Sequence, residues 1–313
     1  MYKIGIVDDC PHVPAKESYL FRRLSSLYDI VLVDDPDYLF YSVFGTEHAN
    51  PKYDRCVKIW FTGENFRPDF SKCDYAMSFD YLDDPRHCRL PLYLHYTGEE
   101  GSLIKRPDFN AAAVLRSKDR FCNFVYSNVE AATRLKFFQK LSKYKQVDSA
   151  GSVLNNLGFT CDNKQEFLKS YKFTIAFENA RQHGYTTEKL VEPMLSNSIP
   201  IYWGNMLIGR EFNTKSFINC HEFDSFESAI EEIVRLDQDD GRYIAKMKEP
   251  WLIGNVDSQY TRNDYLVPFF NRVFATPPHV NPKWANVRPR DFGLSGDRRS
   301  VVPTELTERR VFE

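Results

Sequence analysis

Two stretches carry residues whose types and spacing could do chemistry. In YKFTIAFENARQHGYTTEKLVEPMLSNSIPIYWGN, residues 171–205, an apolar run from Phe173 to Phe177 ends in Glu178-Asn179, and Tyr185, Glu188 and Lys189 follow closely. In an open α/β sheet, ligands bind beyond the carboxyl ends of strands, where loops and helix N-termini offer unpaired backbone donors. All five polar residues fall in that zone, so a polar or anionic ligand is the chemistry they suit. In the second stretch, Val57 to Thr62 reads as a strand that ends in Gly63-Glu64-Asn65, and Glu64 again follows a strand's last apolar side chain.

The elements that must position these groups alternate along the chain. Lys3–Val7, Ile30–Val33, Tyr38–Val43, Val57–Thr62 and Tyr75–Phe79 read as strands, with a helix over 14–27. A helix of that length between strands indicates βαβ crossovers and a parallel sheet. Around 98–110 the composition turns polar with Gly and Pro, which marks an interdomain region. The strand pattern restarts at Phe121–Ser127, and helices are expected over 130–143, 161–170 and 225–236. Phe173–Phe177, Ile199–Trp203 and Phe217–Asn219 read as strands of the second array, and either Thr186 or Thr187 could cap a helix starting at Glu188. A last helix over 264–274 is interrupted by Pro268. From Pro277 on, paired prolines and few large apolar groups predict a loosely ordered tail. The fold class is α/β, with two Rossmann-like domains facing across a cleft.

Composition narrows the function. The chain has 313 residues, 42% of them hydrophobic, enough for two cores. With 41 basic and 43 acidic residues it lacks the basic excess of a nucleic-acid binder, so an anionic ligand must be held by a few placed cations. Seven widely spaced cysteines form no metal-spaced cluster and suit free thiols in a reducing cytosol. The start lacks a secretory leader, no run is long enough to span a bilayer, and no Asn-x-Ser/Thr acceptor occurs. A cytoplasmic location is expected, with docking on the inner face of a membrane left open. Asp35-Pro36-Asp37 spells a DxD, but proline at the second position suits a turn before the strand at Tyr38. His183 is read as a solvated loop residue, and Asp8-Asp9 and Asp239-Asp240 as strand-end and turn charges.

The run FTIAFENARQHGYTTEKLVEPMLSNSIPIYWGN resembles the signature of the α-1,3/4-fucosyltransferases of glycosyltransferase family 10, and is closest to their bacterial soluble-type members. FTGEN at 61–65, FVYSN at 124–128 followed by Arg134, YDIVLVDDPDYLFYS at 28–42 and KSFIN at 215–219 also resemble family segments. This similarity implies a GT-B architecture: an acceptor-binding domain over 1–116, a GDP-fucose-binding domain over 117–276, and the tail over 277–313. It implies an inverting transfer of fucose from GDP-fucose to the 3-hydroxyl of N-acetylglucosamine in N-acetyllactosamine-type glycans, with no cofactor and no required metal. Alternatives are α-1,4 regiochemistry, a different acceptor, or a GDP-sugar binder without transfer. By resemblance, Glu64 is the base that deprotonates the acceptor hydroxyl. Arg134 and Lys189 neutralise the leaving diphosphate, Asn179 and Glu188 take ribose hydroxyls, Tyr185 faces the phosphate or the fucose, and Glu178 is a secondary, structural member.

The chain departs from the family pattern in two places. Pro193 falls inside the helix after Lys189, where it can shorten or kink the helix without moving its N-terminus. The bacterial relatives often carry heptad repeats and a basic amphipathic tail. Here no heptad occurs, and acids nearly balance the arginines after Asn286, so a membrane-surface partner has little support.

Overall fold

The structure is a computed structural model and describes residues 1–10, 17–97, 100–128 and 131–284. It divides into two compact units. Residues 1–95 together with the chain from Gln259 to the end of the described residues form the first, and Tyr96–Ser258 the second.

The first unit is built on strands β1 (Tyr2–Val7), β2 (Ile30–Leu32), β3 (Tyr38–Tyr41), β4 (Val57–Phe61), β5 (Tyr75–Ser78) and β6 (His87–Arg89), with helix α1 (Tyr19–Leu27) between β1 and β2. All neighbours pair in parallel, in the order β2-β1-β3-β4-β5-β6. β3 and β4 are buried along their whole length, the mark of a parallel sheet covered on both faces. Ser18 starts α1 by accepting a hydrogen bond from the Phe21 amide at 3.2 Å. The expected helix over 14–27 is present from Tyr19; residues 14–16 of it lie outside the described residues.

The second unit contains α2 (Ala111–Arg116), β7 (Arg120–Phe124), α3 (Ala132–Leu141), β8 (Val147–Ser149), α4 (Lys164–Lys169), β9 (Tyr171–Phe177), α5 (Glu188–Leu195), β10 (Ile199–Trp203), β11 (Ile218–Asn219), α6 (Phe226–Gln238) and α7 (Asp240–Lys248). Its parallel sheet has the order β11-β10-β9-β7-β8, a doubly wound arrangement. Counted from its own first strand this is 2-1-3-4-5, which makes β7/β9 the place where the winding reverses. The register pairs Phe173 with Ile199 and Phe177 with Trp203, so β9 and β10 end level with each other. Two Rossmann-like α/β units are thus what the sequence leads one to expect.

One helix belongs elsewhere than expected. α8 (Asn263–Ala275) follows the second unit in sequence but returns to the first, where its apolar face of Leu266, Phe269, Phe270, Val273 and Phe274 is buried. Tyr2 stacks on Phe274 with ring centroids 4.2 Å apart, and the Tyr38 hydroxyl donates to the Phe274 carbonyl at 2.8 Å. The helix continues past Pro268 rather than being interrupted there; proline has no amide to donate to the Asp264 carbonyl. The boundaries at 116 and 276 therefore differ from the observed division, because α2 packs on α7 inside the second unit and α8 on the first.

Residues 277–284, the first of the expected tail, are anchored to the first unit. The Trp284 indole is buried and donates to the Cys56 carbonyl at 3.3 Å, the His279 amide donates to the Arg55 carbonyl at 2.8 Å, and His279 and Lys283 both engage Asp74. One aromatic anchor and a buried carboxylate hold residues 277–284 against the first sheet. The remainder of the expected tail, 285–313, lies outside the described residues. All seven cysteines are free thiols. Among the described residues no helix is long and apolar enough to cross a membrane.

Candidate active site

β9 delivers Glu178 and Asn179 at its carboxyl end, and α5 delivers Glu188 and Lys189 at its first turn. Thr187 caps α5, its hydroxyl accepting from the Lys189 amide at 3.5 Å. The intervening loop is pinned by Asn205, which is fully buried. Its side-chain oxygen accepts from the amides of Gly184 at 2.8 Å and Leu207 at 2.9 Å, and its nitrogen donates to the Thr186 hydroxyl at 3.1 Å. Gly184 sits at φ +79°, a left-handed turn that glycine adopts without strain.

Glu178 is 1% exposed, and its carboxylate accepts from the Thr187 amide at 2.8 Å and the Thr187 hydroxyl at 2.7 Å, with the Lys189 ammonium 3.7 Å away. Gly204, at the end of β10, leaves the room this requires: a Cβ there would stand 2.5 Å from Glu178 Cγ. Glu178 thus ties β9, the cap of α5 and the end of β10 together, and its side chain is committed to the protein.

Burial pushes the Glu178 carboxyl up to about 7, Glu188 adding to the effect while Lys189 and Thr187 oppose it. Below its ordinary value of 4.5 both folded and unfolded chains hold this proton, whereas between 4.5 and about 7 only the folded chain does. The stability contribution of Glu178 is therefore fully present below 4.5 and is lost as pH rises through about 7. Glu178→Gln keeps an acceptor for the Thr187 amide without the titration. Its thermal unfolding should show a smaller loss of stability from pH 5 to pH 8 than the wild type's; parallel curves would show that Glu178 does not titrate in this window.

Lys189 is largely buried and donates to Glu188 at 2.7 Å and to the Thr187 hydroxyl at 3.2 Å. Burial works against its charge, yet Glu178 and Glu188 together raise its pKa. Burial likewise opposes the Glu188 carboxylate, and Lys189 outweighs it and lowers the pKa. Glu188 and Lys189 therefore keep their charges at neutral pH, while Glu178 is near its midpoint there.

Arg134 is the least predictable member. It rises from α3, is 1% exposed, and lays its guanidinium over the Tyr126 ring at 3.8 Å. One terminal nitrogen, Nη2, donates to the Asn179 side chain at 2.7 Å and to the Phe177 carbonyl at 3.2 Å. Nε and Nη1 are buried and have no hydrogen-bond partner among the described residues. A buried guanidinium with donors left over on two of its edges suits anionic oxygens, each edge taking its own. Burial lowers the Arg134 pKa, and the nearby Glu178 and Glu188 carboxylates work against that. Arg134, Asn179, Tyr185, Glu188 and Lys189 thus gather at one edge of the second sheet.

Sequence reasoning missed Tyr126 and Asn205 as supports of this site. Tyr126 OH donates to the Ile175 carbonyl at 2.8 Å and accepts from the Phe177 amide at 2.8 Å, which braces the end of β9 while its ring carries Arg134. Tyr126 does lie in FVYSN and Asn205 follows Gly204, so each had a positional signal. His221 is a third: its Nε2 accepts from the Gly204 amide at 3.0 Å, and burial with Arg181 nearby lowers its pKa to about 4, so the ring stays neutral.

Glu64 lies in the first unit, exposed in the turn after β4. The Thr62 hydroxyl accepts from the Glu64 amide at 2.9 Å and donates to its carbonyl at 3.2 Å, and the Phe66 amide donates to the same carbonyl at 2.8 Å. These bonds hold the backbone of the turn. Asp35 and Asp37 form the turn before β3, and among the described residues no group of three or more acidic, His or Cys side chains is placed to hold a metal.

Comparison with known proteins agrees with this geometry. The α-(1,3)-fucosyltransferase FucT N-terminal domain matches residues 4–96, and the C-terminal domain of glycosyltransferase family 10 (fucosyltransferase) matches residues 115–263. The chain belongs to glycosyltransferase family 10. Among relatives of this family-10 protein, α-(1,3)-fucosyltransferase FucT of Helicobacter pylori is 36% identical over 268 residues, covering 75% of this chain and 56% of that protein. The chain thus spans little more than half the length of that relative. A crystal structure of an α1,3-fucosyltransferase superposes with a TM-score of 0.76 at 30% identity, covering 90% of this chain and 91% of the other. One described as holding GDP-fucose superposes with a TM-score of 0.72 at 29% identity, covering 90% and 93%.

Proposed function

We propose that this family-10 chain transfers L-fucose from GDP-β-L-fucose to the 3-hydroxyl of N-acetylglucosamine in N-acetyllactosamine-type glycans, with inversion. The observation that carries the donor half is the buried Arg134 guanidinium, whose Nε and Nη1 have no hydrogen-bond partner among the described residues, beside Asn179, Glu188 and Lys189. Diphosphate oxygens satisfy such donors, and Lys189 at the N-terminus of α5 adds a second cation. Glu188 and Asn179 are the groups available for ribose hydroxyls, and Tyr185 for the phosphate or the fucose. Kinship with proteins described as α-(1,3)-fucosyltransferases, one of them holding GDP-fucose, supports donor and linkage alike.

In the reaction, the acceptor oxygen bonds to C1 of fucose as the bond from C1 to the diphosphate oxygen breaks. The hydroxyl proton goes to Glu64, and GDP leaves carrying the electron pair. Arg134 and Lys189 neutralise the charge that grows on the diphosphate, the task a bound divalent ion performs in other transferases. No metal or cofactor is required on this reading, and a cytoplasmic supply of GDP-fucose suits it.

The test is incubation with GDP-fucose and type 1 and type 2 disaccharides, with the product linkage read by NMR. An α-1,3-fucosylated type 2 product is expected. An α-1,4 product alone would move the assignment to the other regiochemistry, and GDP binding without any transfer would leave only a GDP-sugar binder. EDTA is expected to change the initial rate by less than about twofold, since protein cations supply the charge; complete loss restored by manganese would overturn the metal-independent reading.

A further inference from the structure

The first unit has a pocket of its own, of about 150 Å³, at the carboxyl ends of β3 and β4. We propose that it is a subsite for a neutral pyranose ring of the acceptor, seated beside the Glu64 turn; this rests on the fucosyl-transfer reading. Its volume is below the range typical for drug-sized ligands and matches a single ring.

The lining suits a sugar. Ser42 is 2% exposed, lines the pocket, and its hydroxyl has no hydrogen-bond partner among the described residues, which is a buried polar group awaiting one. Trp60 and Phe66 line it as well, and Phe66 is 42% exposed, an apolar face of the kind that receives the C–H side of a pyranose. The opposite wall is rigid. His48 stacks on Tyr41 with centroids 4.3 Å apart and is held by the Asp8 carboxylate, which also accepts from the amides of Glu47 and His48 at 2.9 Å.

Charge decides between a neutral and an anionic ring. Both cations of the pocket are already matched, Lys72 by Asp69 at 3.1 Å and Arg67 by the buried Asp80. Such pairs can exchange hydrogen bonds with hydroxyls, but they leave no surplus positive charge to select a carboxylate or sulfate. Position links the pocket to the reaction: the Phe66 amide donates to the Glu64 carbonyl at 2.8 Å, so the aromatic face and the base share one turn.

The test compares wild type with Phe66→Ala, Ser42→Ala and Phe66→Trp. Acceptor KM should rise about five- to tenfold in Phe66→Ala and several-fold in Ser42→Ala, and return to within about twofold of wild type in Phe66→Trp. GDP affinity by calorimetry should stay constant throughout. Unchanged acceptor KM in both alanine variants, or a matching fall in GDP affinity, would overturn the subsite while leaving fucosyl transfer in place. If the wild type transfers no fucose, the underlying reading fails instead. Saturation-transfer NMR then examines the pocket alone, with methyl β-galactoside, methyl N-acetyl-β-glucosaminide and methyl β-glucuronide as probes. Signals from the neutral rings that vanish in Phe66→Ala support the subsite, and signals unaffected by the substitution, or strongest for the glucuronide, overturn it.

Discussion

Glu64→Gln is expected to lower kcat for fucosyl transfer by roughly 10²–10⁴-fold, the usual worth of a positioned general base, while GDP binding stays nearly unchanged. The amide is isosteric and still accepts a hydrogen bond, but it cannot take the acceptor's proton. The bonds that the Thr62 hydroxyl and the Phe66 amide make with the Glu64 backbone are not altered by the substitution. The candidate donor residues all belong to the second unit, whereas Glu64 belongs to the first. Calorimetry with GDP and initial rates with saturating acceptor separate the two halves. If GDP affinity fell as far as kcat, Glu64 would be a donor-binding residue and the base would have to be sought elsewhere.

How much of this was legible in the sequence depended on whether the information is local. β9, α5 and β10 were readable because an unbroken apolar run, a capping threonine and a second apolar run are all short-range signals, and Thr187 does cap the helix. Asp239 was misread for the same local reason. It looked like a turn charge, and it is the N-cap of α7, accepting from the Arg242 amide at 3.0 Å. β6 and β8, three residues each, are too short for any period to register. The destination of α8 is not local at all. Its sequence announces an apolar face, but only the aromatic row of Tyr2, Tyr28 and Tyr38 explains why that face returns to the first sheet. Asn205 is similar: its place after Gly204 marks it, but only the fold brings Gly184 and Thr186 to its one buried amide. The family resemblance supplied the site residues, and the structure supplied the distinction among them, with Glu178 spent on the fold and Arg134 held open.

That distinction sets the second large expectation, for Arg134→Ala. Nη2 of Arg134 serves the protein, bonding Asn179 and the Phe177 carbonyl, but Nε and Nη1 are buried without a partner among the described residues. A charged hydrogen bond contributes roughly 1.5–3 kcal/mol, so losing even one to a diphosphate should weaken GDP binding about tenfold to a hundredfold. Lys189→Ala should weaken it less. The Lys189 ammonium already closes on Glu188 at 2.7 Å and on Thr187 at 3.2 Å, and those bonds must be shared or broken before it meets a phosphate. Arg134→Lys should not rescue, because a single ammonium cannot both keep the bonds to Asn179 and the Phe177 carbonyl and offer donors on other edges, nor lie over Tyr126 as the guanidinium does at 3.8 Å. Calorimetric titration of GDP into the three variants, each checked by thermal unfolding, gives the order directly. A GDP affinity within about twofold of wild type in Arg134→Ala would make Arg134 a packing residue of β9 and leave Lys189 as the cation of the donor site.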